Sequence, residues 1–339
     1  MAKLIHITDL YHPHADPDDH YDLAQVYALS ALGSVELEQV IIDYTADGRW
    51  GDPALYSVYQ LNRIFGKNVH VTLGADTGIY RGKKELWRDA PQNKAYAADK
   101  ILEILSRSTE KVYITIVGGC LDTAMALERG REIFAQKCAG IFLNAGSCED
   151  TLAYQEYNVT LGRVEYRTVF QAPCPVYWNP CMHSLHPDKT LWGKNATYYK
   201  IAQQKDIFEK IPTDLQNYFY YMLSKNDDKR FLRFLEQDNS KTLNESFGNL
   251  FRAMWCTAGI FELAGKTVTT SGEITEKDKC VSPLYDFRPI KIDCSSKGET
   301  RWSFDDSVTD RFIFNVLDEE KYAPMMTKAL GDLYASAFK

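Results

Sequence analysis

Residues 6–29 read HITDLYHPHADPDDHYDLAQVYAL. The segment LIHIT (4–8) reads as a buried strand, and YDLAQVYALSAL (21–32) has the apolar spacing of an amphipathic helix packed behind it. Between the two lie Asp9, Asp16, Asp18 and Asp19, interleaved with His12, His14 and His20. Like charges repel, so four carboxylates this close need either water around each or a cation between them. A helix N-terminus favours anions, and capping accounts for one or two of the four. A strand end carrying several carboxylates suits a hard cation, because calcium and magnesium prefer oxygen ligands and calcium accepts six to eight. The histidines raise a rival, since imidazole with carboxylate suits zinc, manganese or iron.

Outward from this stretch, strand and helix signals alternate. LEQVIIDYT (37–45), VHVTLGA (69–75), KVYITIVGG (111–119) and GIFLNAG (140–146) read as strands. DPALYSVYQLNRIF (52–65), AYAADKILEILSRS (95–108) and LDTAMALERGREIF (121–134) read as helices between them. This alternation predicts an α/β fold with a doubly wound, mostly parallel sheet. Such sheets bind ligands beyond the carboxyl ends of their strands. The unusual clusters all fall at such ends: Asp9 to Asp19, Asp47, Gly118 to Asp122, and Asn144 to Asn158. From about residue 182 to 250 the texture becomes helical and aromatic, which predicts a helical subregion over one edge of the sheet within a single domain spanning 1–339. PLYDFRPIKIDC (283–294) and TRWSF (300–304) read as a hairpin-type strand pair, and the chain ends in a strand and an amphipathic helix.

A net charge of −7 argues against nucleic acid as a partner, because phosphate binding needs a basic surface. No apolar run is long enough to span a membrane and no signal peptide opens the chain. The eight cysteines show no CxxC pair, and reduced thiols in a cytoplasmic protein are expected. The expected partner is a small molecule, with a homo-oligomer open.

Three segments carry a resemblance. The aspartate after LIHIT, followed by DPDDHYDLA (16–24), resembles the amino-terminal DxDPGxDDAxAL cluster of the inosine-uridine preferring nucleoside hydrolase family. Six residues, LYHPHA (10–15), separate the strand-end aspartate from the rest of the cluster, and the glycine is absent. TIVGGCLDTAMAL (115–127) is similar to the family's TGPLTNxAxAL segment. QEYNVTLGRVEYRTVF (155–170) resembles its EFNxxxDPEAAxxVF segment without a gap from Glu156 to Phe170. The likeness covers most of residues 3–180 and the final strand and helix.

What the resemblance implies is hydrolysis of N-ribosyl bonds through an oxocarbenium-like transition state. It implies a cofactor Ca2+, with Mg2+, Mn2+ or Zn2+ as alternatives, held by Asp9, Asp19 and the backbone carbonyl of Leu121. Asp16 competes for the role of Asp9. Asp18 is the implied general base, Glu156 and Asn158 the ribose-binding pair, and Asp47 stands where the family has an asparagine near the sugar. Trp87, Tyr177, Trp178, His183 and the tyrosines of 218–221 are candidates to stack on a base. The family also has a His-Asp pair at the start of a late helix, the aspartate completing the calcium shell and the histidine protonating the leaving base. Matching MWCTAGIFELAG (254–265) to that helix puts Met254 and Trp255 in those places. His183, His186 or Asp286 are then the stand-ins for the missing acid. Two other readings remain: a ribosyl- or nucleoside-binding protein with little turnover, and a metal-dependent hydrolase of another bond, such as a phosphoester.

Overall fold

Along the first strand, successive side chains enter different cores. Leu4 packs with one apolar cluster, and Ile5 and Ile7 with the other. The same split separates Val40 and Ile42 from Ile41, and Phe142 from Ile141 and Leu143. A strand whose period-2 alternation is apolar on both sides belongs in the middle of a sheet covered on both faces. The structure, a computed structural model, describes residues 1–14, 16–45, 51–148, 155–182 and 193–338.

Nine strands form the main sheet: β1 (Ala2–Thr8), β2 (Val35–Tyr44), β3 (His70–Asp76), β4 (Val112–Ile116), β5 (Cys138–Asn144), β6 (Val176–Asn179), β7 (Tyr285–Cys294), β8 (Thr300–Phe304) and β9 (Arg311–Val316). Their spatial order is β8-β7-β9-β6-β5-β4-β1-β2-β3. β1 lies between β2 and β4, in parallel register from Ala2 opposite Val35 to Thr8 opposite Ile42 on one side and from Lys3 opposite Val112 on the other. Pairing is parallel from β3 across to β9, and β7 runs antiparallel to both β9 and β8. The expected hairpin is therefore present, and so is the mostly parallel sheet. β6 is a strand that periodicity alone does not announce, because it spans only four residues.

Helix α1 (Asp18–Ala31) follows β1, and every residue from Asp18 to Ser30 is buried. It shares its core with α2 (Leu55–Phe65) and, later in the chain, with the carboxyl-terminal helix Glu319–Ser336. On the opposite face lie α3 (Tyr96–Arg107), α4 (Leu121–Lys137), the short α5 (Tyr157–Leu161) and α6 (Arg163–Phe170). In the 193–250 region, α7 (Thr213–Leu223) packs against α2, so this region is helical as expected. It also holds a strand, Tyr199–Ile201, paired antiparallel with Arg252–Met254. That ribbon carries the chain back to the carboxyl end of β1. Helix α8 (Ala258–Leu263) starts four residues after the strand ends, so Met254 and Trp255 are not its first residues, as the sequence match has them.

Candidate functional site

β1 delivers Asp9 and the N-terminus of α1 delivers Asp18 and Asp19. All three end up beside one another because strand and helix are consecutive and parallel neighbours close the gap. Asp18 is 2% exposed and Asp19 5%. The Asp9 and Asp19 side chains are in contact. The orphan N–H groups and dipole of α1 favour this negative charge, yet burial dominates. Dehydration, then the Asp16 charge, pushes Asp9 up to about 7. Dehydration, then Asp22, pushes Asp18 up to about 6. Asp19 is raised well above the carboxylate range by burial and by Asp9. Asp16 is exposed, with its carboxyl against that of Asp18.

A turn after β4 closes on these groups. A Cβ on Gly118 would stand 2.7 Å from the Asp9 backbone nitrogen and 2.6 Å from Asp43 Oδ2, so only glycine permits the approach. The Gly119 N–H donates to the Asp43 carboxylate. Asp43, at the end of β2, is a buried carboxylate that the motif match passes over. It is raised well above its usual range by burial and by Asp122. Asp122 accepts from the Ala75 N–H at 2.9 Å and is pushed up to about 7 by burial. Leu121 is the first residue of α4 and lines a small cavity with Asp43 and Asp122. Asp47, His183 and His186 lie outside the described residues.

Glu156 and Asn158 are both 7% exposed and both hold backbone. The Glu156 carboxylate accepts from Gly146 N (2.8 Å), Asn158 N (2.9 Å) and Val159 N (3.3 Å), capping α5. Asn158 Nδ2 donates to the carbonyls of Val117 (2.9 Å) and Asn144 (3.2 Å). They tie the ends of β4 and β5 together and are packed into the fold.

Within the extra segment, Tyr11–His12 pairs as a short ribbon with Asp52–Pro53. His12 Nδ1 meets the Tyr56 hydroxyl at 2.9 Å, and its ring stacks on Tyr221 at 5.7 Å. The ligand nitrogens of His12, His14 and His20 do not converge on one point among the described residues; the one convergent group of metal-ligating atoms there is Asp18, Asp19 and Cys256. Trp87 and Trp178 are fully buried, their indoles donating to the carbonyls of Tyr80 and Ala145 at 2.8 and 2.7 Å. Tyr177 stacks within the sheet against Phe142 and Phe312. Asp286 is bonded to Asn315 Nδ2 at 2.8 Å. Tyr218 is buried and Tyr221 borders His12.

The late segment reaches the site one residue further along than the sequence match places it. Met254 is fully buried in the core. The Trp255 N–H donates to Asp18 Oδ2 at 3.0 Å, while its ring packs against Tyr198. Cys256 Sγ then lies 3.9 Å from Asp19 Oδ1.

No family model matches the sequence, and no curated protein matches it. Solved structures do. The inosine-uridine preferring nucleoside hydrolase of Bacillus anthracis aligns over 99% of both chains at 14% identity and a TM-score of 0.55. The purine-preferring ribonucleoside hydrolase of Gardnerella vaginalis aligns over 98% of this chain and 99% of its own at 12% identity, TM-score 0.55. The type III effector protein XopQ, solved in complex with adenosine diphosphate ribose, aligns over 100% of this chain and 93% of its own at 13% identity, TM-score 0.52. Nucleoside hydrolases are thus among the structural neighbours of this chain, and their α/β fold is its fold.

Proposed function

We propose that the protein hydrolyses the N-glycosidic bond of a small ribosyl compound at the carboxyl end of the sheet, using Asp9, Asp18, Asp19, Glu156 and Asn158. The observation that carries this reading is the convergence of Asp18 and Asp19, with Asp9 against Asp19, at the carboxyl end of the central strand. In a nucleoside hydrolase fold, that end of the sheet is where a sugar would sit. The effector neighbour solved with adenosine diphosphate ribose supports a ribosyl ligand for this chain.

Asp18 is the residue proposed to accept the proton of the attacking water. Its Oδ2 is fixed by the Trp255 N–H, and its pKa near 6 makes it a stronger base than an ordinary carboxylate while leaving it ionised at neutral pH. Asn158, with Nδ2 committed to two carbonyls, offers Oδ1 to a ribose hydroxyl; Glu156 offers its remaining carboxylate lone pairs. The calcium that the resemblance implies fits this donor set poorly. Calcium needs six to eight oxygens, whereas one side of the group is a thiol.

A second reading is favoured by one observation. Met254 and Trp255 supply no acid to the leaving base, and Asp286 is engaged by Asn315. A protein that binds the ribosyl group with little turnover fits this equally. Release of reducing sugar from inosine or uridine separates the two: sugar release supports the hydrolase, and saturable binding without release supports the binding protein.

A further inference from the structure

One oxygen of Asp18, one of Asp19 and the sulfur of Cys256 all lie within 4.8 Å of one another, and all three residues are buried. A tetrahedral cation with sulfur at about 2.3 Å and oxygen at about 2.0 Å holds its ligand atoms about 3.5 Å apart. The 3.9 Å between Cys256 Sγ and Asp19 Oδ1 is close to that spacing. An independent observation points the same way. Asp22, one turn along α1 from Asp18, is fully buried, with Oδ1 paired to His6 Nε2 at 3.0 Å, and its Oδ2 has no hydrogen-bond partner. This orphaned oxygen belongs to a carboxylate that adjoins the Cys256 thiol. An unpartnered oxygen at this depth is costly unless something positive is nearby.

We propose that this centre takes a thiophilic divalent cation, zinc or a metal of its chemical class, with the Cys256 thiolate as a direct ligand beside Asp19. Soft thiolate selects such metals, while a hard cation gains little from sulfur. Burial raises the thiol's pKa, so it gives up its proton to solvent as the metal binds, and uptake is proton-coupled. Asp9, in contact with Asp19, supplies further oxygen, and Asp18, bonded by the Trp255 N–H, brings one carboxylate oxygen into the same group. The assignment rests on the reading of this strand end as the functional site, and it differs from the oxygen-only calcium shell that the sequence resemblance implies.

The test is metal binding to the full chain, read apart from turnover. Zinc and calcium are each titrated by equilibrium dialysis, and cobalt(II) is added as a spectroscopic probe. The expected result is one zinc per chain, not displaced by excess calcium, and a near-ultraviolet sulfur-to-cobalt charge-transfer band. Cys256→Ser abolishes the band and weakens zinc binding by more than about 100-fold, since losing even an indirect supporter of a ligand costs 10- to 100-fold. Cys256→Asp binds again, now with calcium competing. Zinc-edge X-ray absorption of the unmodified protein shows a sulfur neighbour at about 2.3 Å and needs no variant to fold. An oxygen-and-nitrogen-only shell, a band that survives Cys256→Ser, calcium bound as tightly as zinc, or no bound metal overturns the inference. Sugar release that needs calcium alone overturns it while upholding the hydrolase. Sulfur-bound zinc without sugar release upholds it and counts against the hydrolase.

Discussion

Cys256 Sγ lies 3.9 Å from Asp19 Oδ1, although 237 residues separate them in the chain. The contact exists because the strand Arg252–Met254 pairs with Tyr199–Ile201 and leads the chain across the amino end of α1. It joins the two halves of the molecule at the site where the chemistry is proposed.

Asp18→Asn keeps an oxygen for the Trp255 N–H but removes the base. Its kcat is expected to fall by about 10²–10⁴, the usual contribution of a general base, with little change in KM. In the unmodified enzyme kcat/KM rises with pH through about 6 and then levels, because the carboxylate must be ionised to act. Steady-state rates from pH 5 to 8 check this. A profile that falls across that range removes Asp18 from the role.

Glu156→Ala is expected to lose stability as well as ligand affinity. Its carboxylate serves three backbone N–H groups, and leaving buried donors unpaired costs about 1–3 kcal/mol each before water enters. Urea unfolding combined with ribose-binding calorimetry reads both effects. Unchanged stability with lost binding would show that the capping bonds are dispensable.

Asp122→Asn tests the electrostatic strain beside the site. Burial pushes the Asp122 carboxyl in the folded protein up to about 7, well above the ordinary carboxylate value. A carboxylate raised by folding contributes stability fully below its unfolded pKa and loses that contribution as pH rises through the folded value. The unmodified protein's Tm therefore falls between pH 4 and pH 7. Asparagine, which never ionises and can still accept from Ala75 N–H, raises Tm at pH 8 and leaves it nearly unchanged at pH 4. Thermal melts at the two pH values decide, and equal destabilisation at both would refute the assignment.

The strand–helix alternation, the central acidic strand end and the terminal hairpin were all legible from local pattern, because a two-sided parallel strand is a continuous apolar run and an amphipathic helix has its own period. Asp43 was not. Its burial depends on the Gly118–Gly119 turn 76 residues away, and the only local signal was a carboxylate ending an otherwise apolar strand. Cys256 was hidden for a related reason. Matching MWCTAGIFELAG to the family's late helix makes it one helix, but strand pairing holds the chain extended to Met254 and delays the helix to Ala258. A three-residue strand made by a long-range partner has no period to detect. The histidines of the inserted segment stood out in composition, yet His12 is occupied with Tyr56 and Tyr221.

The central claim is tested most directly by cleavage of p-nitrophenyl riboside, whose leaving group needs no protonation. With Met254 and Trp255 supplying no acid, the account predicts that the unmodified protein releases p-nitrophenol about 10²–10⁴-fold faster than it releases base from inosine or uridine, with the activity lost in Asp18→Asn. No p-nitrophenol release while ribose still binds would contradict N-ribosyl hydrolysis and leave a ribosyl-binding protein.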